Sequence, residues 1–261
     1  MRCSDIINKL EELSPTSYAE DWDNVGLLAG RTDKEVRVIA IALDATESVI
    51  AEAIRCKADM LITHHPLIFK PMNRVTASDF IGRRVVSLLQ ADISYYAMHT
   101  NFDVMGMADA AADEIELQNR QVLHITYEDE IAKEGIGRFG RLPQTMSLVE
   151  CANYIKSVFL LEGVLTYGDL EAEVTHAAIV PGSGADMIKD AIEAGVDVMI
   201  TGDIKHHEAI DALEQGLYVI DAGHYGIEKI FVPYIKQFLS RESPSLEVHI
   251  VKEQNPIQII R

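Results

Sequence analysis

Asp59-Met60-Leu61-Ile62-Thr63-His64-His65 and Asp197-Val198-Met199-Ile200-Thr201-Gly202-Asp203 are one pattern written twice, 138 residues apart: a carboxylate, three apolar residues, a threonine and then polar groups. The same spacing lays Ile39-Ala40-Ile41 on Ala177-Ala178-Ile179, and Ile54 on Ile192. A repeat that keeps strand, helix and strand in phase constrains the fold more than any single motif. Each copy reads as a βαβ unit whose strands run parallel through a right-handed crossover. The expected class is therefore α/β, with two related α/β lobes, mainly parallel sheets, and strand carboxyl ends facing a cleft that the lobes share.

The rest of the chain fits around that repeat. Ser4 can cap a first helix over Asp5 to Leu13, which Ser14-Pro15 ends. Val36 to Leu43 reads as a strand, Thr46 to Ala58 as a helix, and Asp59 to Thr63 as the strand that delivers His64 and His65. A helix over Asp79 to Gln90 and a strand over Ser94 to Met98 follow. From Asn119 to Val174 the pattern changes, so we expect a first lobe over 1–122, a connecting segment over 123–173 and a second lobe over 174–261. Glu20 to Leu28 holds the only tryptophan, Trp22, among acidic residues. It reads either as a turn with a packed indole or as a wall of the ligand cleft.

Polar groups gather where apolar strands stop. Pro66 cannot continue a ladder, so His64 and His65 lie at a strand's carboxyl end. Successive side chains on an extended strand point to opposite faces, so two ions, one per imidazole, suit this pair unless the backbone bends. Ser94 to Met98 runs into His99 and Asp103, Asp197 to Thr201 into Asp203, His206 and His207, and Tyr218 to Asp221 into His224 and Glu228. His124, His176 and His249 fall elsewhere and are expected to be structural. His224 and Glu228, four apart, share one face of a helical turn, as an imidazole and carboxylate gripping one ion require. A carboxylate such as Asp103 or Glu228 can bridge two cations. Nitrogen and oxygen donors without thiolate suit zinc, iron, manganese or similar ions, and disfavour a structural zinc finger. The bland alternative is a hydrogen-bonded polar cleft. Pro181-Gly182-Ser183-Gly184 reads as a plain βα turn capped by Ser183, or more weakly as a phosphate-binding loop.

Composition narrows the partners. A formal charge of −18 argues against a phosphate-backbone partner, because nucleic-acid binding needs Lys and Arg to neutralise phosphates. Three widely spaced cysteines fit a reducing compartment, and the amino terminus turns acidic before any long apolar run, so a cytoplasmic protein without signal peptide or membrane span is expected.

These motifs together resemble the Nif-three-like family, also known as GTP cyclohydrolase I type 2 homologues. The matching residues are Asp21-Trp22-Asp23-Asn24-Val25-Gly26-Leu27, Thr63-His64-His65-Pro66, His99-Thr100-Asn101-Phe102-Asp103, Gly137-Arg138-Phe139-Gly140, Pro181-Gly182-Ser183-Gly184, Thr201-Gly202-Asp203 with His206-His207, and Gly223-His224 with Glu228. The resemblance implies two divalent metal cations per subunit, held by His64, His65, Asp103, His224 and Glu228, in a toroidal homohexamer. It also implies a metal-dependent hydrolase acting on a small molecule, a nucleotide in the GTP cyclohydrolase case, by opening the guanine ring and releasing formate. His99, Asp203, His206 and His207 are then the residues expected to move protons. A metal-dependent phosphoesterase, and a non-catalytic metal-binding, regulatory or metal-delivery protein, are the competing expectations.

Overall fold

A computed structural model describes residues 1–260. Along the chain run α1 (Cys3–Leu13), β1 (Gly26–Ala29), β2 (Val38–Ala42), α2 (Glu47–Arg55), β3 (Met60–Thr63), α3 (Phe80–Gln90), β4 (Ser94–Ala97) and α4 (Thr100–Phe102), which passes into a π-helical turn at Asp103–Met107. Next come α5 (Ala108–Glu114), β5 (Gln118–Glu128), β6 (Lys133–Ser147), α6 (Leu148–Val158), β7 (Leu165–Tyr167), β8 (Glu173–Ser183) and α7 (Ile188–Glu193). The chain ends with β9 (Val198–Gly202), α8 (His206–Glu214), β10 (Tyr218–Asp221), α9 (His224–Glu228), α10 (Phe231–Glu242) and β11 (Glu247–Ile250).

These elements form two units. The first joins Met1–Phe102 to Phe231–Gln254, and the second takes Asp103–Ile230 with a short stretch from Asn255. In the first, the sheet order is β1-β4-β3-β2-β11, with β11, β2, β3 and β4 parallel and β1 antiparallel at the edge. Every residue of β3 and β4 is buried, as a parallel strand covered on both faces must be. Val49, Ile50 and Ala53 of α2 and Val85 and Leu88 of α3 share a core cluster with Ala40, Leu61 and Tyr95 of the sheet. Both helices begin on side-chain caps: Thr46 accepts from the Val49 amide and Asp79 from the Gly82 amide.

The second unit has the order β5-β6-β8-β9-β10-β7. Its centre, β8, β9 and β10, is parallel, and β5, β6 and β7 add antiparallel pairings. Buried Arg138 on β6 clamps Asp109 of α5, Nε to Oδ1 at 3.0 Å and a terminal nitrogen to Oδ2 at 2.8 Å. Its other donors reach the carbonyls of Gly135 and Gly137. Charge and all of its fork geometry are thus used inside the unit.

The duplication extends to single hydrogen bonds. Ile39 pairs with Met60 and Ile41 with Ile62 in the first sheet, and Ala177 pairs with Val198 and Ile179 with Ile200 in the second. Asp59 accepts the amides of Arg37 and Val38, and Asp197 accepts those of Thr175 and His176, at the same 138-residue spacing. The amide of each aspartate in turn donates to the carbonyl of Val38 or His176. The aspartate that opens each repeat therefore ties one strand's start to its neighbour's.

Two boundaries differ from the sequence expectation. Residues 123–173, expected as a connecting segment, supply the latter part of β5 and all of β6, α6 and β7 of the second unit, because β6 pairs directly with β8 and buries Leu142 and Met146. The carboxyl-terminal part of 174–261, expected in the second lobe, returns to the first unit, where β11 pairs with β2. Neither return is visible in hydrophobic periodicity, which reports which face of an element is buried and not against what.

Asp59→Ala and Asp197→Ala each leave two backbone donors without their acceptor. Each is expected to cost about 1–3 kcal/mol, read as a fall of several degrees in the thermal midpoint. Because the two sites lie in different units, the double variant should show the sum of the single losses.

Candidate metal centre

In the first unit, β3 stops at Thr63 and the backbone bends. Two hydroxyls hold the bend: Thr63 Oγ1 and Tyr95 Oη both donate to the His65 carbonyl, at 2.8 and 2.9 Å, and Tyr95 Oη accepts the Leu67 amide at 2.8 Å. Burial pushes the Tyr95 hydroxyl well above its ordinary pKa, so it stays a donor. The bend replaces strand alternation. His64 and His65 lie with ring centroids 4.9 Å apart instead of on opposite faces, and His99, just beyond β4, stands 5.2 and 5.6 Å from them. One ligand nitrogen from each of the three lies within 4.8 Å of the others.

Each ring is held at Nδ1. His64 Nδ1 meets the Met98 carbonyl at 2.6 Å, His65 Nδ1 meets Asp44 Oδ1 at 2.9 Å, and His99 Nδ1 meets Asp23 Oδ1 at 2.9 Å. A carbonyl or carboxylate only accepts, so Nδ1 carries the proton and Nε2 presents the lone pair. Burial alone would raise the Asp23 carboxyl. The His99 ring together with the Thr100 amide and hydroxyl outweighs it and holds Asp23 at about 2.

The second unit offers a different donor set. His224 opens α9 and Glu228 sits one turn later, so that His224 Nε2 and Glu228 Oε2 are 2.9 Å apart. His224 Nδ1 meets Asp203 Oδ2 at 2.9 Å. Asp203 adopts φ +58°, a left-handed conformation that aspartate tolerates better than most residues. Glu228 is 3% exposed, and an oxygen of its carboxylate lies within 4.8 Å of one from Asp103. Two glycines make the room. A Cβ on Gly182, at φ +76°, would stand 2.5 Å from Glu228 Oε1, and one on Gly202 would stand 2.4 Å from the His224 amide nitrogen. Gly182 therefore serves a carboxylate, and helix α7 starts without a side-chain cap from Ser183.

The profile of the Duf34/NIF3 (NGG1p interacting factor 3) family matches residues 1–256. The chain belongs to this family. A Clostridium perfringens protein named GTP cyclohydrolase 1 type 2 homolog is 35% identical over 264 residues, covering 100% of both chains. Among solved structures, a Staphylococcus aureus protein superposes with a TM-score of 0.88 at 30% identity, over 100% of this chain and 99% of the other. A Bacillus cereus protein related to NIF3 reaches 0.91 at 24% identity with the same coverage, and shares the fold.

In this NIF3-family chain the donors fit a divalent cation better than a sulfur-ligated one. Imidazole nitrogens with committed lone pairs and buried carboxylate oxygens match zinc, iron or manganese. The thiols do not compete: burial pushes Cys151 up to about 12 and also raises Cys3 and Cys56. Of the residues expected to move protons, His99 joins the first imidazole group and Asp203 braces His224. His206 and His207 stand exposed at the start of α8, their rings 5.2 Å apart. His124, His176 and His249 lie on β5, β8 and β11, beside Asp190, Asp197 and Glu247 respectively. Asp23 and Asp44, which orient His99 and His65, went unassigned from sequence. Their signal was present, since Asp44 directly follows the apolar run of β2, but an acidic chain offers many such carboxylates. No helix among the described residues is long and apolar enough to cross a membrane.

Two outcomes are expected here. Gly182→Ala should displace the Glu228 carboxylate and weaken divalent-metal binding by about 10- to 100-fold, measured by calorimetric titration; unchanged affinity would contradict the close approach. The lowered Asp23 carboxyl contributes stability that is present above its unfolded value near 3.8 and is lost as pH falls towards about 2. Asp23→Asn should therefore cost roughly 2 kcal/mol at pH 7 and little near pH 2. Carboxyl-carbon NMR checks the midpoint directly.

Proposed function

We propose that this chain is a dinuclear metal-dependent hydrolase of the GTP cyclohydrolase type, with His64, His65, Asp103, His224 and Glu228 as the ligands of two divalent cations. The observation that carries this reading is the common anchoring of His64, His65, His99 and His224. In each, Nδ1 is taken by a carbonyl or carboxylate, which leaves Nε2 as the ring atom that could face an ion, and in His224 that atom faces Glu228 Oε2 at 2.9 Å. The family resemblance adds the count of two and the five-residue set. Two of the three points at which the chain passes between its units, Phe102–Asp103 and Ile230–Phe231, fall within three residues of a proposed ligand, and the third is Gln254–Asn255.

When bound, such cations lower the pKa of a coordinated water from about 15.7 towards 7 and polarise the group under attack. The chain's own residues then have definite tasks. Asp44 and Asp203 hold His65 and His224 in one tautomer and one orientation. His99, its Nδ1 fixed on Asp23, takes and returns a proton at Nε2. Hydrolytic opening of the guanine five-membered ring breaks the bond from C8 to N9, and loss of C8 as formate breaks its bond to N7, so one group must alternate as base and acid. Asp203 is better suited to positioning than to proton transfer, and the exposed His206 and His207 are secondary candidates. The subunits assemble as a cytoplasmic homohexamer in this reading.

Purified chain loaded with zinc, iron or manganese should release formate from GTP. Asp103→Ala and Glu228→Gln should lose metal and turnover together, whereas His99→Ala should keep its metal and lose about 10²- to 10⁴-fold in kcat. Elemental analysis and light scattering give the metal count and the assembly. Tight metal binding without turnover of GTP or of any phosphoester would replace this reading with the non-catalytic metal-binding one.

A further inference from the structure

The first unit leaves large aromatic rings in solvent beside its imidazoles. Trp22 is 58% exposed and Phe69 45% exposed, although either would gain by burial. Their ring centroids are 5.8 Å apart and the planes are tilted by 59°, so neither ring covers the other's face. His99 stands 6.0 Å from Trp22 and 6.4 Å from Phe69, edge-on to both. Aromatic rings thus run continuously from Phe69 and Trp22 through His99 to His64 and His65.

Their exposure is built into the backbone. Asp23, adjacent to Trp22, is fully buried as a side chain and takes donors from His99, Thr100 and the Asn24 amide. Asn24 Nδ2 donates to the Ile68 carbonyl at 2.5 Å, which ties the Trp22 turn to the residue before Phe69. The two rings are therefore positioned relative to each other and to His99 by one short hydrogen-bonded network. A turn that spends this much hydrogen bonding to hold an indole outward is built to meet something flat. Lys70, the residue after Phe69, is exposed and cationic in a chain of net charge −18.

We propose that Trp22 and Phe69 form a seat for a planar heteroaromatic ring, of the nucleobase class, which they stack beside His99. This deepens the functional reading above and rests on it for the placement of a reacting ring next to the imidazoles. Stacking on aromatic side chains tolerates any base with a π-face, so the seat supplies affinity and orientation, and hydrogen bonds elsewhere would choose the base.

Trp22 is the only tryptophan, so its fluorescence reports the seat directly. The full metal-loaded chain is titrated with guanosine, with GTP, and with ribose 5-phosphate and tripolyphosphate as non-aromatic probes. Guanosine and GTP should quench saturably, and the non-aromatic probes should not. Phe69→Ala should weaken guanosine binding by about 5- to 150-fold, Phe69→Tyr should restore most of it, and Trp22→Ala, followed by calorimetry, should match Phe69→Ala. Bound metal per chain should stay at the wild-type level in all three. Saturable quenching without formate release would remove the cyclohydrolase reading and keep the seat. Formate release with unchanged KM in Phe69→Ala would do the reverse. Equal quenching by non-aromatic probes, or a change of assembly state in Trp22→Ala that shows a second copy covering the rings, overturns the proposal.

Discussion

A hydrogen bond at Nδ1 underlies everything this site can do. A free imidazole exchanges its proton between two nitrogens and rotates about its bonds to the backbone. One held by a carbonyl or carboxylate has a single lone pair in a single direction. His64 takes this hold from the backbone at Met98, and His65 and His99 take it from Asp44 and Asp23, while His224 is held between Asp203 at Nδ1 and Glu228 at Nε2. Those acceptors are themselves restrained. Glu253 receives the amides of Leu43 and Asp44, and Asp23 is saturated by donors from Thr100, Asn24 and His99. Orientation is thus passed through successive layers of hydrogen bonds to the imidazole rings.

The duplicated βαβ unit carries that logic twice, with different chemistry at its end. Both copies start on an aspartate that accepts two amides of the neighbouring strand, and both carry a threonine four residues later, where β3 ends and β9 runs one residue further to Gly202. After Thr63 the chain bends and presents two imidazoles. After Thr201, Gly202 admits the close-lying His224 amide, and Asp203 turns left-handed to brace His224 from outside. One scaffold position therefore supplies two imidazoles in the first copy and support for one in the second. The parallel core fixes where each strand stops, and the two residues beyond it decide what is delivered there.

Much of this was legible in the residues. Apolar runs opened by Thr46 and Asp79 gave helices beginning one residue after those caps, because a side chain that accepts an end-turn amide is a local signal, whereas Ser4, expected as a cap, lies inside α1, which starts at Cys3. The repeat was legible for a similar reason: identical spacing of carboxylate, apolar run and threonine preserves identical pairing. Less legible were the membership of 123–173 in the second sheet and the return of β11 to the first. Strand pairing between distant segments leaves no periodicity of its own.

By itself the sequence determined the α/β class, the twofold repeat, and the gathering of imidazoles and carboxylates where strands end, since all three follow from local order along the chain. The tertiary structure alone decided that His64 and His65 turn to the same side, that Asp23 and Asp44 are the carboxylates that aim them, and that Trp22 faces solvent where a packed indole was one expectation. Each of these depends on a contact made across the chain: the Tyr95 hydroxyl on the His65 carbonyl, the Asp23 carboxylate on His99, the Asn24 amide on Ile68. Interactions between residues tens of positions apart are set by the folded backbone, and no pattern of neighbouring residues encodes them.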